Sequence, residues 1–265
     1  MPTAVITGTS SGLGHGVAAR LHALGWDVIG TVRQHAQQEA LPWHTVVADV
    51  TDDDAVAALG TVVAARWGRL DALVNNAGIG LNGPFEELAP SELRHQLDVN
   101  LVGAMALVRA TLPALRSAGG VVVQVSSVSG QSADALMGAY NASKFGLEGA
   151  SEALAAEVAS FGVRVVIVEP GPFRTDISHK SPSAAAKDPD GLYAGQWREL
   201  DEWLVWHGSA SPDASVCVDA IVAAATRPDA PFRIAVGDRI SEAVRQHARG
   251  ILEQMDASDA FLRTL

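Results

Sequence analysis

Along the chain, short runs of continuously apolar, often β-branched residues alternate with longer stretches whose apolar positions recur at helical spacing. The runs Thr3 to Thr7, Asp27 to Val32, His44 to Ala48, Leu70 to Val74, Val121 to Ser126 and Val163 to Glu169 read as strands. Their lack of polar alternation is the pattern of strands covered on both faces. Between them, Gly14 to Leu24, Ala55 to Trp67, Glu92 to Leu115 and Ala139 to Phe161 are each long enough to be a helical crossover joining parallel strands. The rhythm predicts an α/β fold with helices on both faces of a parallel sheet. No linker or internal repeat interrupts it, so residues 1–265 are expected to form one domain.

The rhythm breaks from about Ser178 to Asp190, where Ser, Pro, Ala and Asp dominate and a mobile segment is expected. Tyr193, Trp197, Trp203 and Trp206 follow, then a helix from Pro212 to Thr226, a strand from Phe232 to Val236 and a helical tail. An insertion at about 172–212 should therefore lie over the carboxyl edge of the sheet. Its aromatic side chains either cap a substrate or pack a small core of their own.

With 48% hydrophobic and 18% charged residues, the chain has enough apolar surface for a sizeable core. The net charge of −11 repels phosphodiester backbones and anionic lipid, and the few Lys and Arg form no run. Nucleic acid and membrane surfaces are therefore not expected partners. No stretch approaches the ~18 consecutive apolar residues of a membrane span. Met1-Pro2-Thr3 runs straight into Ala4-Val5-Ile6, so no secretory leader is expected. The lone cysteine, Cys217, allows neither an internal disulfide nor a cysteine-based zinc cluster, which suits a reducing, cytoplasmic compartment. The eight His residues show no ligand spacing, and no metal is expected.

Directly after the first strand stands Gly8-Thr9-Ser10-Ser11-Gly12-Leu13-Gly14, and a helical pattern opens behind it. Glycines at such a turn let the backbone approach a pyrophosphate, and the helix N-terminus offers free N–H groups and a positive dipole end. A dinucleotide is expected there, against the plainer reading of a tight turn. The second strand ends Thr31-Val32-Arg33, without the acid that would bind a ribose 2′-hydroxyl. An arginine fork matches a 2′-phosphate, so NADP(H) is preferred over NAD(H); the alternative is an ordinary solvated arginine. Ser10 and Ser11 can add hydroxyl donors. In Ala48-Asp49-Val50, the carboxylate of Asp49 is placed either to accept from an adenine amino group or to cap a turn. Asn75-Asn76-Ala77-Gly78, after the fourth strand, supplies small residues for a cofactor wall at close range, or simply a polar turn.

Tyr140 and Lys144 are four residues apart at the start of a helical pattern and share one face. The chain has only two Tyr and three Lys, so chance explains this spacing poorly. A phenol of ordinary pKa near ~10 is a poor base, and lowering it by about three units needs about 4 kcal/mol. A neighbouring ammonium can provide much of that, and an oxidised nicotinamide ring adds to it. Such a tyrosine donates its proton to a carbonyl in reduction and takes one from an alcohol in oxidation. Ser126 and Ser127 end the fifth strand, and either can hydrogen-bond the reacting oxygen. Asn100, awkward within a helical pattern, is a candidate to hold a water beside Lys144.

In this order, these residues closely resemble the short-chain dehydrogenase/reductase family over approximately Thr3 to Thr175. The resemblance implies a Rossmann-type, doubly wound sheet of about seven parallel strands. It implies a catalytic tetrad of Asn100, Ser127, Tyr140 and Lys144 with a proton relay, the thirteen residues before Tyr140 selecting Ser127 over Ser126. It also implies that Gly8, Gly12 and Gly14 hold the cofactor, that Asn76-Ala77-Gly78 lines it together with Tyr140 and Lys144, and that Pro170, Gly171 and Thr175 contact its nicotinamide end. Members are commonly homodimers or homotetramers through the helices bearing Asn100 and Tyr140. The runs Tyr140 to Gly149 and Glu169 to Phe173 look like members that act on steroids, retinoids or other apolar carbonyls. The expected activity is hydride transfer between NADP(H) and a carbonyl or secondary alcohol. A catalytically silent nucleotide-binding regulator is disfavoured by the intact tetrad. A nucleotide-sugar epimerase or dehydratase is disfavoured by the glycine spacing and the short C-terminal segment.

Overall fold

The computed structural model describes residues 1–37, 41–173, 182–188, 190–210 and 212–264. Among these, seven strands form one wholly parallel sheet in the order β3-β2-β1-β4-β5-β6-β7. The strands are β1 (Thr3–Ile6), β2 (Asp27–Val32), β3 (His44–Val47), β4 (Ala72–Asn75), β5 (Val121–Val125), β6 (Arg164–Pro170) and β7 (Arg233–Val236). Every residue of β1, β4 and β5 is buried, as their unbroken apolar runs predict. The strand order reverses beside β1: the chain steps outward to β3, then returns to lay β4 on the other side, with Ile6 in register with both Gly30 and Val74. Such a switch point opens a crevice beyond the carboxyl ends of the strands.

Two layers of helix close the sheet. On one face, α1 (Gly12–Ala23) and α7 (Ser215–Thr226) bury Val17, Leu21, Cys217 and Ile221 against the strands. On the other, α2 (Asp53–Arg66), α4 (Gly103–Ala118) and α5 (Gly138–Val158) bury Leu59, Leu107, Leu115 and Leu154. Local chemistry sets the boundaries. Asp52 caps α2 by accepting from the backbone N–H groups of Asp54 and Ala55, and Gly119, at φ +60°, ends α4 in the left-handed region.

The helix expected from Glu92 to Leu115 is present as one continuous run, Pro90–Ala118, with a change of pitch inside it. Helix α3 (Pro90–Leu97) joins α4 through a π-helical turn at Asp98–Val102. The Asn100 amide binds both backbone groups of Ile79, and Gly103 sits so close to Val50 that a Cβ there would lie 2.6 Å from the Val50 carbonyl oxygen. The helix is thus anchored at two tertiary contacts, and the wider turn accommodates both. The run Pro90–Ala118 is long and apolar enough to cross a bilayer by composition, yet Leu107, Val108 and Leu115 pack against the sheet and α2. Helices α6 (Ala194–Ala210) and α8 (Ile240–Leu262) complete the chain.

Candidate active site

The glycine turn is built as the nucleotide reading requires. Gly8 (φ +73°) and Gly12 (φ +60°) occupy the left-handed region. A Cβ on Gly14 would lie 2.4 Å from both the Gly8 carbonyl oxygen and Asn76 Nδ2, so the helix can start this close to the turn only without a side chain. Asn76 ties the turn to β4 by donating to the Thr7 carbonyl at 2.9 Å, while Thr7 Oγ1 accepts from the backbone N–H groups of Asn76 and Ala77. Thr31 supports the same turn, its Oγ1 accepting from Gly8 N at 3.2 Å. Neither threonine was apparent as a site residue, because a strand-end threonine carries no signal until its neighbours across the sheet are known.

From this turn a cavity of about 640 Å³ runs across the carboxyl ends of the strands to Tyr140. At the nucleotide end it is lined by Gly8, Ser10, Ser11, Gly12 and Leu13, and by Arg33, Asp49 and Val50. Asn76, Ala77 and Gly78 form its middle wall, and Ser127, Tyr140, Lys144, Pro170 and Gly171 its far end. Gly14 and Asn100 stand behind that wall, and Thr175 lies outside the described residues. The cradle at Gly14, the left-handed glycines and the length of the cavity fit a dinucleotide.

Arg33 is exposed at the cavity rim, and its charge acts on Asp49. Burial raises the Asp49 carboxyl, but hydrogen bonds from Thr51 and the charges of Arg33 and His95 outweigh it and hold the group below its usual range. Thr51 donates to Oδ1 from both backbone and hydroxyl, so Asp49 caps a turn as well as lining the cavity.

At the far end the two serines part company. Ser127 stands beside the Tyr140 phenol and favours its ionised form, while its Oγ accepts from Ser129 N at 3.1 Å and donates to the Pro170 carbonyl at 3.5 Å. Ser126 turns toward the Glu148 carboxylate on the other side, short of a full hydrogen bond. Lys144 is buried at 5% exposure, its Nζ donating to the Val125 carbonyl at 2.9 Å and lying 5.7 Å from the centre of the Tyr140 ring. Burial drives its ammonium down to about 8, opposed by the Glu148 charge one turn away. Burial also pushes the Tyr140 phenol up, against the neighbouring Ser127 hydroxyl. The ammonium alone therefore leaves the phenol protonated at neutral pH, and the sequence-based expectation that Lys144 supplies much of its acidity does not describe this state. The Asn100 side chain is taken up by Ile79 and by Ser143 Oγ, at 2.9 to 3.0 Å, and makes no hydrogen bond to Lys144 among the described residues.

Behind Lys144 lies a buried acidic cluster that sequence reasoning missed. Glu148 and Glu169 are 4% and 2% exposed, bridged by the Gln131 amide at 3.2 and 3.1 Å and faced by the Arg233 guanidinium at 3.3 and 3.2 Å. The available signal was the four-residue step from Lys144 to Glu148; Glu169, Gln131 and Arg233 join only through the fold. Burial, then the Glu148 charge, pushes Glu169 up to about 7. Between its ordinary 4.5 and about 7 the folded chain holds a proton that the unfolded chain releases, so this group's effect weakens folding as pH rises through that window. Glu169→Gln should remove that slope. Measured by urea denaturation, the variant should gain on the parent by on the order of 3 kcal/mol between about pH 4.5 and pH 8, and a pH-independent difference would refute the assignment.

The cap has two parts. Trp197, 1% exposed, packs with Leu136, Leu200, Tyr193 and Leu204, donates to Glu87 at 3.0 Å and carries Lys187 Nζ 4.2 Å above its ring. It is core. Trp203 and Leu204 instead line the cavity with Met137 and Phe173. The Trp206 side chain lies outside the described residues. Within the segment expected to be mobile, 182–188 is tied to the body: Asn82 N donates to the Pro182 carbonyl and Ala184 N to the Asn82 carbonyl, at 3.0 and 2.7 Å.

Comparison with known proteins agrees with this construction. Residues 2–186 match the short chain dehydrogenase family model. The NADPH-dependent 3-dehydrocapnine reductase of Ornithobacterium rhinotracheale is 35% identical over 217 residues, 76% of each chain. A short-chain dehydrogenase structure from Streptomyces avermitilis superposes with a TM-score of 0.87 at 34% identity, over 100% of this chain and 99% of its own. Another from Burkholderia cenocepacia, in complex with NADP, gives 0.76 at 27% identity over 98% and 97%. With a seven-stranded parallel Rossmann-type sheet, a glycine cradle at its switch point and a match over most of its length, the chain belongs to the short-chain dehydrogenase family and is a nicotinamide-nucleotide-dependent oxidoreductase acting on CH–OH groups.

Proposed function

We propose that this protein is an NADP(H)-preferring carbonyl reductase for apolar ketones, with Tyr140 as the general acid. The observation that carries the reading is the meeting of Ser127, Tyr140 and Lys144 at one end of a cavity whose other end is the glycine turn. Bound there, the nicotinamide would exchange the hydride with substrate carbon. Ser127 and Tyr140 hydroxyls then hold the substrate oxygen, and the phenol gives it a proton as charge develops. A phenol that keeps its proton at neutral pH is in the state reduction needs. Lys144 stabilises the phenolate left behind, because an ammonium near the ring favours the anion. Asn100 positions the wall through Ile79 and holds Ser143, one residue before Lys144.

The apolar substrate class rests on Met137, Phe173, Trp203 and Leu204 at the mouth, the last three making the described part of region 172–212 a cap on one catalytic domain. The same reading makes the protein a cytoplasmic homodimer or homotetramer. The decisive experiment is a panel of ketones and alcohols assayed with NADPH and NADH, with Tyr140→Phe as control. NADPH-dependent reduction of hydrophobic ketones supports the reading; nucleotide binding without turnover across the panel favours a regulator instead.

The cofactor preference rests on Arg33 and the missing acid at the end of β2, together with the NADPH- and NADP-named relatives. Arg33→Asp should remove a phosphate partner and add a repulsive charge, lowering the NADPH-to-NADH affinity ratio by about tenfold or more. An unchanged ratio in fluorescence titrations would remove Arg33 from cofactor choice.

A further inference from the structure

The last helix, α8, has no role in the site described above. Its first residue, Ile240, is buried beside Gly171 and Gly237, and Val244 is half-buried. From Arg245 onward every described residue of the helix is exposed except the half-buried Gly250. Ile251, Leu252, Met255, Phe261 and Leu262 are 44, 64, 55, 63 and 59% exposed. Helical propensity alone supports a lone helix poorly in water, and a row of large apolar side chains marks a contact surface.

The pattern identifies the occupant. Val244, Ala248, Ile251, Met255, Ser258 and Leu262 are spaced alternately four and three residues apart, the seam of a two-helix coiled coil. Along one flank of that seam, at seven-residue steps, lie Arg245, Leu252 and Asp259: basic, apolar, acidic. In an antiparallel pair like flanks face each other. Arg245 then faces Asp259 of a second copy, Asp259 faces Arg245 of that copy, and Leu252 meets its own equivalent on the two-fold axis. The same register sets Met255 beside Ile251, and Leu262 beside Val244, across the seam. A parallel pair would instead place Asp259 opposite Gln254 and match no charges. The geometry points to α8 as a self-docking surface that pairs antiparallel with α8 of a second copy of this chain. This contact is separate from the helices bearing Asn100 and Tyr140. It is isologous, so it closes as a pair. A lipid surface fits less well, since Glu253, Asp256 and Asp259 line the outer half of a helix in a chain of net charge −11.

The test uses the full chain. Leu252→Cys should be joined to its own copy by a short bismaleimide, at a yield tenfold or more above Gln246→Cys, which points off the seam. Cys217 is buried and does not compete. Adding Arg245→Glu to Leu252→Cys should lower the cross-linked yield by about tenfold, and adding Asp259→Lys as well should restore it. All replaced positions are exposed, and circular dichroism checks the fold. Equal labelling at 246 and 252, no cross-link at 252, or no rescue by the double charge reversal would overturn the pairing. So would cross-linking abolished by phosphatidylglycerol vesicles that take up the protein as a monomer.

Discussion

Tyr140→Phe is expected to lower turnover by roughly 10²–10⁴-fold while leaving nucleotide affinity within about twofold of the parent, because it deletes a proton donor without changing the shape of the wall. The phenol is raised by burial, opposed by the neighbouring Ser127 hydroxyl, with Lys144 Nζ 5.7 Å from the ring centre. Removing the hydroxyl leaves the developing alkoxide with one donor and no proton. The loss should therefore appear in kcat, since the proton moves only as charge develops. Steady-state kinetics on the best ketone from the panel, with NADPH binding followed by fluorescence, separate the two quantities. Unimpaired turnover would take Tyr140 out of the mechanism; lost binding would make it a wall residue.

A single methyl group on Gly14 should have the next largest effect. Its Cβ would sit 2.4 Å from the Gly8 carbonyl oxygen, which belongs to backbone and cannot rotate away. Relief requires the turn and the head of α1 to separate, a strain of about 1–3 kcal/mol. Drawn from nucleotide binding, that is a loss of about 5- to 150-fold in affinity. Gly12→Ala is the informative partner: it meets nothing within 4 Å and bears only the left-handed backbone at φ +60°, about 1–2 kcal/mol against folding. Titration with NADPH should show Gly14→Ala weakened far more than Gly12→Ala. Comparable losses would mean that backbone conformation, not the close approach to Gly8, sets affinity.

The strands were legible because a sheet covered on both faces demands continuous apolar runs, and each of the seven expected runs overlaps an observed strand. The glycine turn was legible because strand, turn and helix are contiguous. The pairing of Tyr140 with Lys144 was legible because helical geometry alone fixes a four-residue step. The π-helical turn at Asp98–Val102 was not, because it answers to Ile79 and Val50, remote in sequence. Nor was the cap's division of labour, in which Trp197 is core and Trp203 wall: spacing places side chains on a helix but does not say what the helix meets.

By itself the sequence determined the sheet, the nucleotide turn and the Tyr140–Lys144 pair, because each depends on chemistry within a few residues. Only the tertiary structure decided that Ser127 faces Tyr140 while Ser126 faces Glu148, that Thr7 and Thr31 brace the glycine turn, and that Gln131, Glu148, Glu169 and Arg233 share one buried cluster. Those groups come from separate strands and helices. Their charges and hydrogen bonds depend on distances that exist only once the chain has folded.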